Sequence, residues 1–189
     1  MMIRAQWTLI GMLLVPAASG LGAEAENGRS VGAYLAEANL QGGEFVDGVF
    51  AGANLRDANL QGAYVIGGEL AEATLANTNL QGGYLPDANL DDADLQRANL
   101  QEVDLQGATL KNADLTGAVL QGANLRGADL GGVRLDGTYL QGASLAGVRG
   151  LTQAQLDRAC ADSTIDLTGT GLRIPRSQPC CNEPGGCGR

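Results

Sequence analysis

Ala53-Asn54-Leu55-Arg56-Asp57-Ala58-Asn59-Leu60-Gln61-Gly62 repeats its own pattern after five residues, and that repeat decides the fold. The leucine position recurs at every fifth residue from Leu35 to Leu145, twenty-three times in all. Only Phe45, Phe50 and Val65 depart from leucine, and none departs from the spacing. Two residues before each stands a small residue: fifteen Ala, four Gly, two Val and two Thr. A frame held over such a length is an architecture and is read before any motif.

A period of five matches neither a helix at about 3.6 residues nor a strand at about 2. A helix would scatter these leucines around all its sides, and glycine at this density would be costly in it. The period instead fits a chain that turns a corner every five residues, with Leu and the preceding small residue inward and the other three outward. The position two after each leucine supports this: it is Gly in thirteen units and Asp or Asn in six more. Those types tolerate the positive φ that tight turns need. A second period lies inside the first, with Gln41, Gln61, Gln81, Gln101, Gln121 and Gln141 spaced by twenty. Four units therefore make one coil. At an inter-strand spacing of about 4.8 Å the array predicts a rod roughly 28 Å long.

These units resemble the A(D/N)LXX repeats of the pentapeptide-repeat family, as in Ala53-Asn54-Leu55-Arg56-Asp57 and Ala128-Asp129-Leu130-Gly131-Gly132. The resemblance covers about residues 31 to 149 and implies an all-β solenoid, a right-handed quadrilateral parallel β-helix. Val103, Val133, Thr78 and Thr138 at the alanine position suggest local widening. Phe45 and Phe50 are expected to fill a wider, capped end. After Val148 the pattern changes. Thr152 as N-cap, Gln155 three later, and Leu151 with Leu156 as a staple predict a short C-terminal capping helix running to about Ala161. This tail is similar to the closing segment of many bacterial members of the family.

The amino terminus reads as a secretory signal: Arg4, then an apolar stretch from Trp7 to Val15, then small residues up to Ala23-Glu24-Ala25. The expected division is a signal peptide at 1–25, a flexible lead-in at 26–30, the β-helix at 31–149, and a cap helix with a Cys-, Pro- and Gly-rich tail at 150–189. The bulk of the chain is expected in the periplasm or secreted, with no stable membrane span after cleavage. Four cysteines, Cys160, Cys180, Cys181 and Cys187, all lie in the tail and allow three pairings. Cys160 with Cys180 or Cys181 is the favoured bridge. A zinc site lacks the usual paired spacing, so no metal is expected.

Composition narrows the function. The chain has 189 residues, 12 basic and 21 acidic, no histidine and a net charge of -9. Such a chain is repelled by nucleic acid and anionic lipid, so no direct nucleic-acid binding is expected. Without histidine there is no Ser-His or Cys-His catalysis. No nucleophile with a base stands out either, so no enzyme and no cofactor are expected. A protein partner is expected, with the chain itself a monomer or homodimer.

Sorting residues by twenty separates the outward faces. One carries Asn39, Asn59, Asn79 and Asn99 and the six glutamines Gln41 to Gln141. Its preferred reading is structural, as amides that bond along the stack; its functional reading is a flat docking face. The next face carries Val46, Tyr64, Ile66, Tyr84 and Pro86, an outward apolar and aromatic run that marks a candidate partner interface. Asp87, Asp91, Asp92, Asp94, Glu102 and Asp104 crowd the middle coils, opposed by Arg97. Some pentapeptide-repeat members resemble B-form DNA and occupy the DNA site of gyrase, so the resemblance implies an acidic DNA mimic as the alternative. The export signal and the lack of a clear dimerising module in the tail rank it below an exported, non-catalytic interaction scaffold.

Overall fold

A five-residue unit without proline carries five backbone N–H groups, and around Leu55 the backbone itself accepts four of them. In the computed structural model, which describes residues 32–45 and 48–175, the unit around Leu55 shows how. Leu55 N–H donates to Thr74 O of the next coil at 2.7 Å, and Asp57 N–H to Ala76 O at 3.0 Å. Asn54 N–H donates back to Ala33 O at 2.8 Å. Ala58 N–H closes the corner onto Leu55 O at 3.0 Å. Buried backbone groups must be paired, and this pattern pairs them between coils. Parallel bridges join residues twenty apart, from Tyr34↔Asn54 to Asp129↔Arg149.

The fifth donor goes to a side chain. Arg56 N–H donates to Asn54 Oδ1 at 3.1 Å. All eleven Asn and Asp residues at that position, from Asn39 to Asp129, accept the corner N–H two residues on in the same way. The Asn/Asp of the repeat is therefore a corner acceptor, a side chain standing in for a backbone turn partner.

The corners have one conformation. Every described residue two past a leucine position has positive φ, between 55° and 72°. Positive φ at the third residue of a four-residue turn is the requirement of a type II turn. Glu37, Glu72, Arg97 and Glu102 adopt it too, against the preference of long side chains. The coil-to-coil bonds over-determine the corner and outweigh that local cost.

Inward residues form one continuous core, with every leucine position from Leu40 to Leu145 buried. At the expected wide end, volume is exchanged between the two inward positions of a unit. Phe45 and Phe50 are buried, with ring centroids 5.4 Å apart and planes at 81°. Gly43 and Gly48 precede them by two, and a Cβ on either glycine would strike the following ring at 2.4 or 2.8 Å. Thr78 and Thr138, fully buried, keep the alanine frame by donating Oγ1–H to Leu55 O and Leu115 O at 2.8 and 2.6 Å.

The ladder continues beyond residue 149. Helix α1, Gln153–Leu156, interrupts it, and the chain then rejoins through Tyr139↔Cys160 and Ser144↔Asp166. Thr152 and Gln155 form the expected capping box. The Gln155 side chain also donates Nε2–H to Val133 O at 2.8 Å, the carbonyl that a regular coil would pair with a backbone N–H. The helix is shorter than the expected run to Ala161, because the following backbone is taken by the ladder. Arg158 O accepts from Gly137 N–H at 2.9 Å, and Cys160 O from Leu140 N–H at 2.8 Å. Leu156, Ala159, Ala161 and Ile165 join the core. Among the described residues no helix is long and apolar enough to cross a membrane.

Candidate interaction surfaces

The amide face is a pair of ladders. Asn59, Asn79 and Asn99 each donate Nδ2–H to the Oδ1 of the asparagine one coil earlier, at 3.4, 3.3 and 3.2 Å. The glutamines run the other way: Gln41, Gln61, Gln81 and Gln121 donate Nε2–H to the glutamine one coil later, at 3.3 to 3.5 Å. These bonds lie at or just beyond the long end of the normal range and are weak. They still occupy the amides along the rod, which leaves fewer of their groups for a partner.

On the next face, Tyr64 and Tyr84 stand one coil apart as a bridged pair, ring centroids 5.9 Å apart and tilted by 54°. They are 50% and 39% exposed, and Ile66 beside them is 39% exposed. Pro86 is partly buried. Val46 lies outside the described residues. Tyr34 is exposed on a different face.

The tyrosines also leave a gap in the corner bonding. A tyrosine ring cannot accept the N–H two residues on, as asparagine does. At Pro86 that donor is absent; at Ile66 the N–H has no acceptor among the described residues. Residues 64 and 84 thus forgo a bond that eleven other units make, and present exposed aromatic surface instead.

Charge is divided along the rod, which the sorting by faces missed. Residues 32–110 hold twelve acidic and two basic side chains, whereas residues 111–175 hold six of each. Every ion pair among the described residues involves the second stretch alone: Lys111–Asp129 at 3.6 Å, Arg126–Asp166 at 3.9 Å, Arg134–Asp114 at 3.2 Å and Arg158–Asp136 at 3.4 Å. Exposed pairs of this kind contribute little stability, but they leave the carboxylates before residue 110 uncompensated. Counting charge along the chain, not only around it, would have found this.

Cys160 is buried in the last rungs and disulfide-bonded. Cys180, Cys181 and Cys187 lie outside the described residues, so the pairing is not assigned. Among the described residues no group of three Cys, Asp or Glu could hold a metal ion. A groove of about 220 Å³ lies between Gly132–Asp136 and α1, lined by Arg134, Asp136, Gln155 and Arg158.

Eight copies of the family described as Pentapeptide repeats match this chain, over residues 32–67, 69–107, 98–137 and 123–164. No curated protein matches it. Among solved structures it is similar to the pentapeptide repeat protein Rfr23 from the cyanobacterium Cyanothece 51142, 28% identical over 65% of this chain and 90% of that one, with a TM-score of 0.42. It is also similar to HetL of Nostoc sp. strain PCC 7120, involved in heterocyst differentiation regulation, 34% identical over 74% of this chain and 68% of that one, TM-score 0.34. A third is QnrB1, a plasmid-mediated fluoroquinolone resistance protein, 17% identical over 75% of this chain and 85% of that one, TM-score 0.46. None of these likenesses says what this chain binds. With the repeat matched across most of its length and the five-residue corners in place, the chain belongs to the pentapeptide-repeat family.

Proposed function

We propose that this protein is an exported, non-catalytic scaffold whose face at Tyr64, Ile66, Tyr84 and Pro86 docks a protein partner. One observation carries the reading. Two adjacent coils place exposed, mutually packed tyrosines at a position where eleven of the twenty-three units place a corner acceptor. Aromatic residues in a central patch are the usual anchors of protein interfaces, and nothing in the bonding of the rod needs them there. The rod is four-sided and right-handed in this proposal, with α1 over its carboxyl end and a bridge from Cys160 to Cys180 or Cys181. Support for export comes from the Arg4 to Ala25 segment and from the disulfide at Cys160, because disulfides persist in oxidising compartments.

The DNA-mimic alternative draws on the acid excess before residue 110. The balanced charge after it argues for an acidic segment rather than a uniformly acidic rod. The test is a Tyr64→Ser, Tyr84→Ser variant in a pull-down from envelope extract. The proposal expects loss of the partner with an unchanged unfolding curve. Retention of every partner overturns it, and binding to a cytoplasmic topoisomerase from an unexported chain favours the alternative.

A further inference from the structure

We infer that the tyrosine face takes an arginine-bearing, extended basic segment of its partner; this rests on the reading of that face as an interface. The tyrosines sit in a column whose members are, coil by coil, Glu44, Tyr64, Tyr84 and Asp104. Carboxylates therefore bracket the aromatic pair on both sides, each one step of about 4.8 Å away. Asp87, at the corner after Pro86, adds a third, and it is exposed. In the neighbouring column, Ile66 and Pro86 are followed by Gln106 and then Arg126. Arg126 is the first described cation on this face, two coils beyond Pro86, and it pairs with Asp166. The two rings pack on each other but keep 50% and 39% of their surface exposed, and the charge around them is of one sign.

That combination selects the occupant. A guanidinium stacks on a tyrosine ring while its N–H groups reach a neighbouring carboxylate. A strand passing along the column meets a ring or a carboxylate at each coil. The Ile66 N–H supplies an unclaimed donor to the backbone of such a segment. A second copy of this chain would bring the same carboxylates against these, which like-charge contact penalises. Nucleic acid is repelled for the same reason.

The test uses the disulfide-intact exported protein and labelled, end-blocked hexapeptides of arginine, lysine and glutamate, at about 0.15 M salt. Affinity is read by fluorescence anisotropy. The arginine peptide is expected to bind, the lysine peptide more weakly, and the glutamate peptide not at all. Tyr64→Ser with Tyr84→Ser leaves the net charge unchanged and is expected to weaken the arginine peptide about tenfold. Glu44→Gln, Asp87→Asn and Asp104→Asn together are expected to weaken it and flatten its salt dependence; the amide introduced by Asp104→Asn keeps the corner acceptor. Equal binding of the arginine peptide by the tyrosine variant, with an unchanged melting curve, overturns the inference. If that variant nevertheless loses its partner from extract, the interface reading stands and only the basic segment falls. If it loses neither, both fall.

Discussion

Gly43 and Phe45 share one volume: a Cβ added to Gly43 would sit 2.4 Å from Cε2 of the Phe45 ring. The small residue and the inward residue of a unit fill the same slice of core, so a larger one demands a smaller other. Gly43→Ala is expected to destabilise by about 1–3 kcal/mol through overpacking. Adding Phe45→Leu should recover most of that loss. Denaturant unfolding of the two single variants and the double variant gives the coupling. Additive losses would show that the two side chains do not compete.

The Asn99 side chain holds both the Gln101 N–H and a place in the amide ladder, accepting the first at 3.2 Å and donating to Asn79 Oδ1 at 3.2 Å. Asn99→Ala leaves the corner donor to solvent and should cost about 0.5–1.5 kcal/mol. Asn99→Ser keeps a shorter corner acceptor and gives up the ladder donor, so its loss should be the smaller. Thermal melts of the two variants separate the corner bond from the ladder bond.

How far the sequence reached can be judged from particular residues. The spacing of Leu55, Leu60 and their successors set the inward frame, and the residues after them set the corner positions, because burial and positive φ each restrict residue type. Thr152 and Gln155 announced their capping box for the same reason. Other features carry no such restriction. Glu72 and Arg97 sit at positive φ only because the coils on either side hold them there. The end of α1 after Leu156 is set by the backbone N–H groups of Gly137 and Leu140, twenty or so residues away, which local pattern does not reveal. The role of Asn54 was readable only once the other four donors of its unit had been placed. Of the interface face, the aromatic run was legible from the period of twenty, whereas the packing of Tyr64 on Tyr84 required the stack itself.

Leu75 is almost wholly buried in the middle of the rod. Leu75→Asp puts an unpaired carboxylate among leucines and should destabilise by more than about 4 kcal/mol, which is exceptional for a single change. Urea unfolding followed by circular dichroism measures it. An unchanged midpoint would contradict the inward assignment of the whole frame.

The Asp166 carboxyl is held below its ordinary value of 3.8 by hydrogen bonds from the Thr168 hydroxyl and N–H, then by the Ser144 hydroxyl and Arg126, with burial opposing them. A depressed folded value means that the unfolded chain binds the proton more readily. The stabilisation is therefore complete above the ordinary carboxylate range and is lost as pH falls through the lower, folded value. Protection of the Thr168 amide, measured by hydrogen exchange after correction for intrinsic rates, should fall with acid in the native chain. Asp166→Asn should remove that dependence, since the amide oxygen still accepts from the Thr168 N–H and does not titrate, while the bonds from Ser144 and Arg126 are given up.

The central claim is that function sits where the outward faces differ, at Tyr64 and Tyr84 and not along the amides. A photo-crosslinking residue placed singly at positions 64, 84, 56, 74 and 101 in living cells tests this most directly. The account predicts one adduct of constant mass from positions 64 and 84, and none from 56, 74 or 101. An adduct from position 101 with none from 64 or 84 would contradict it.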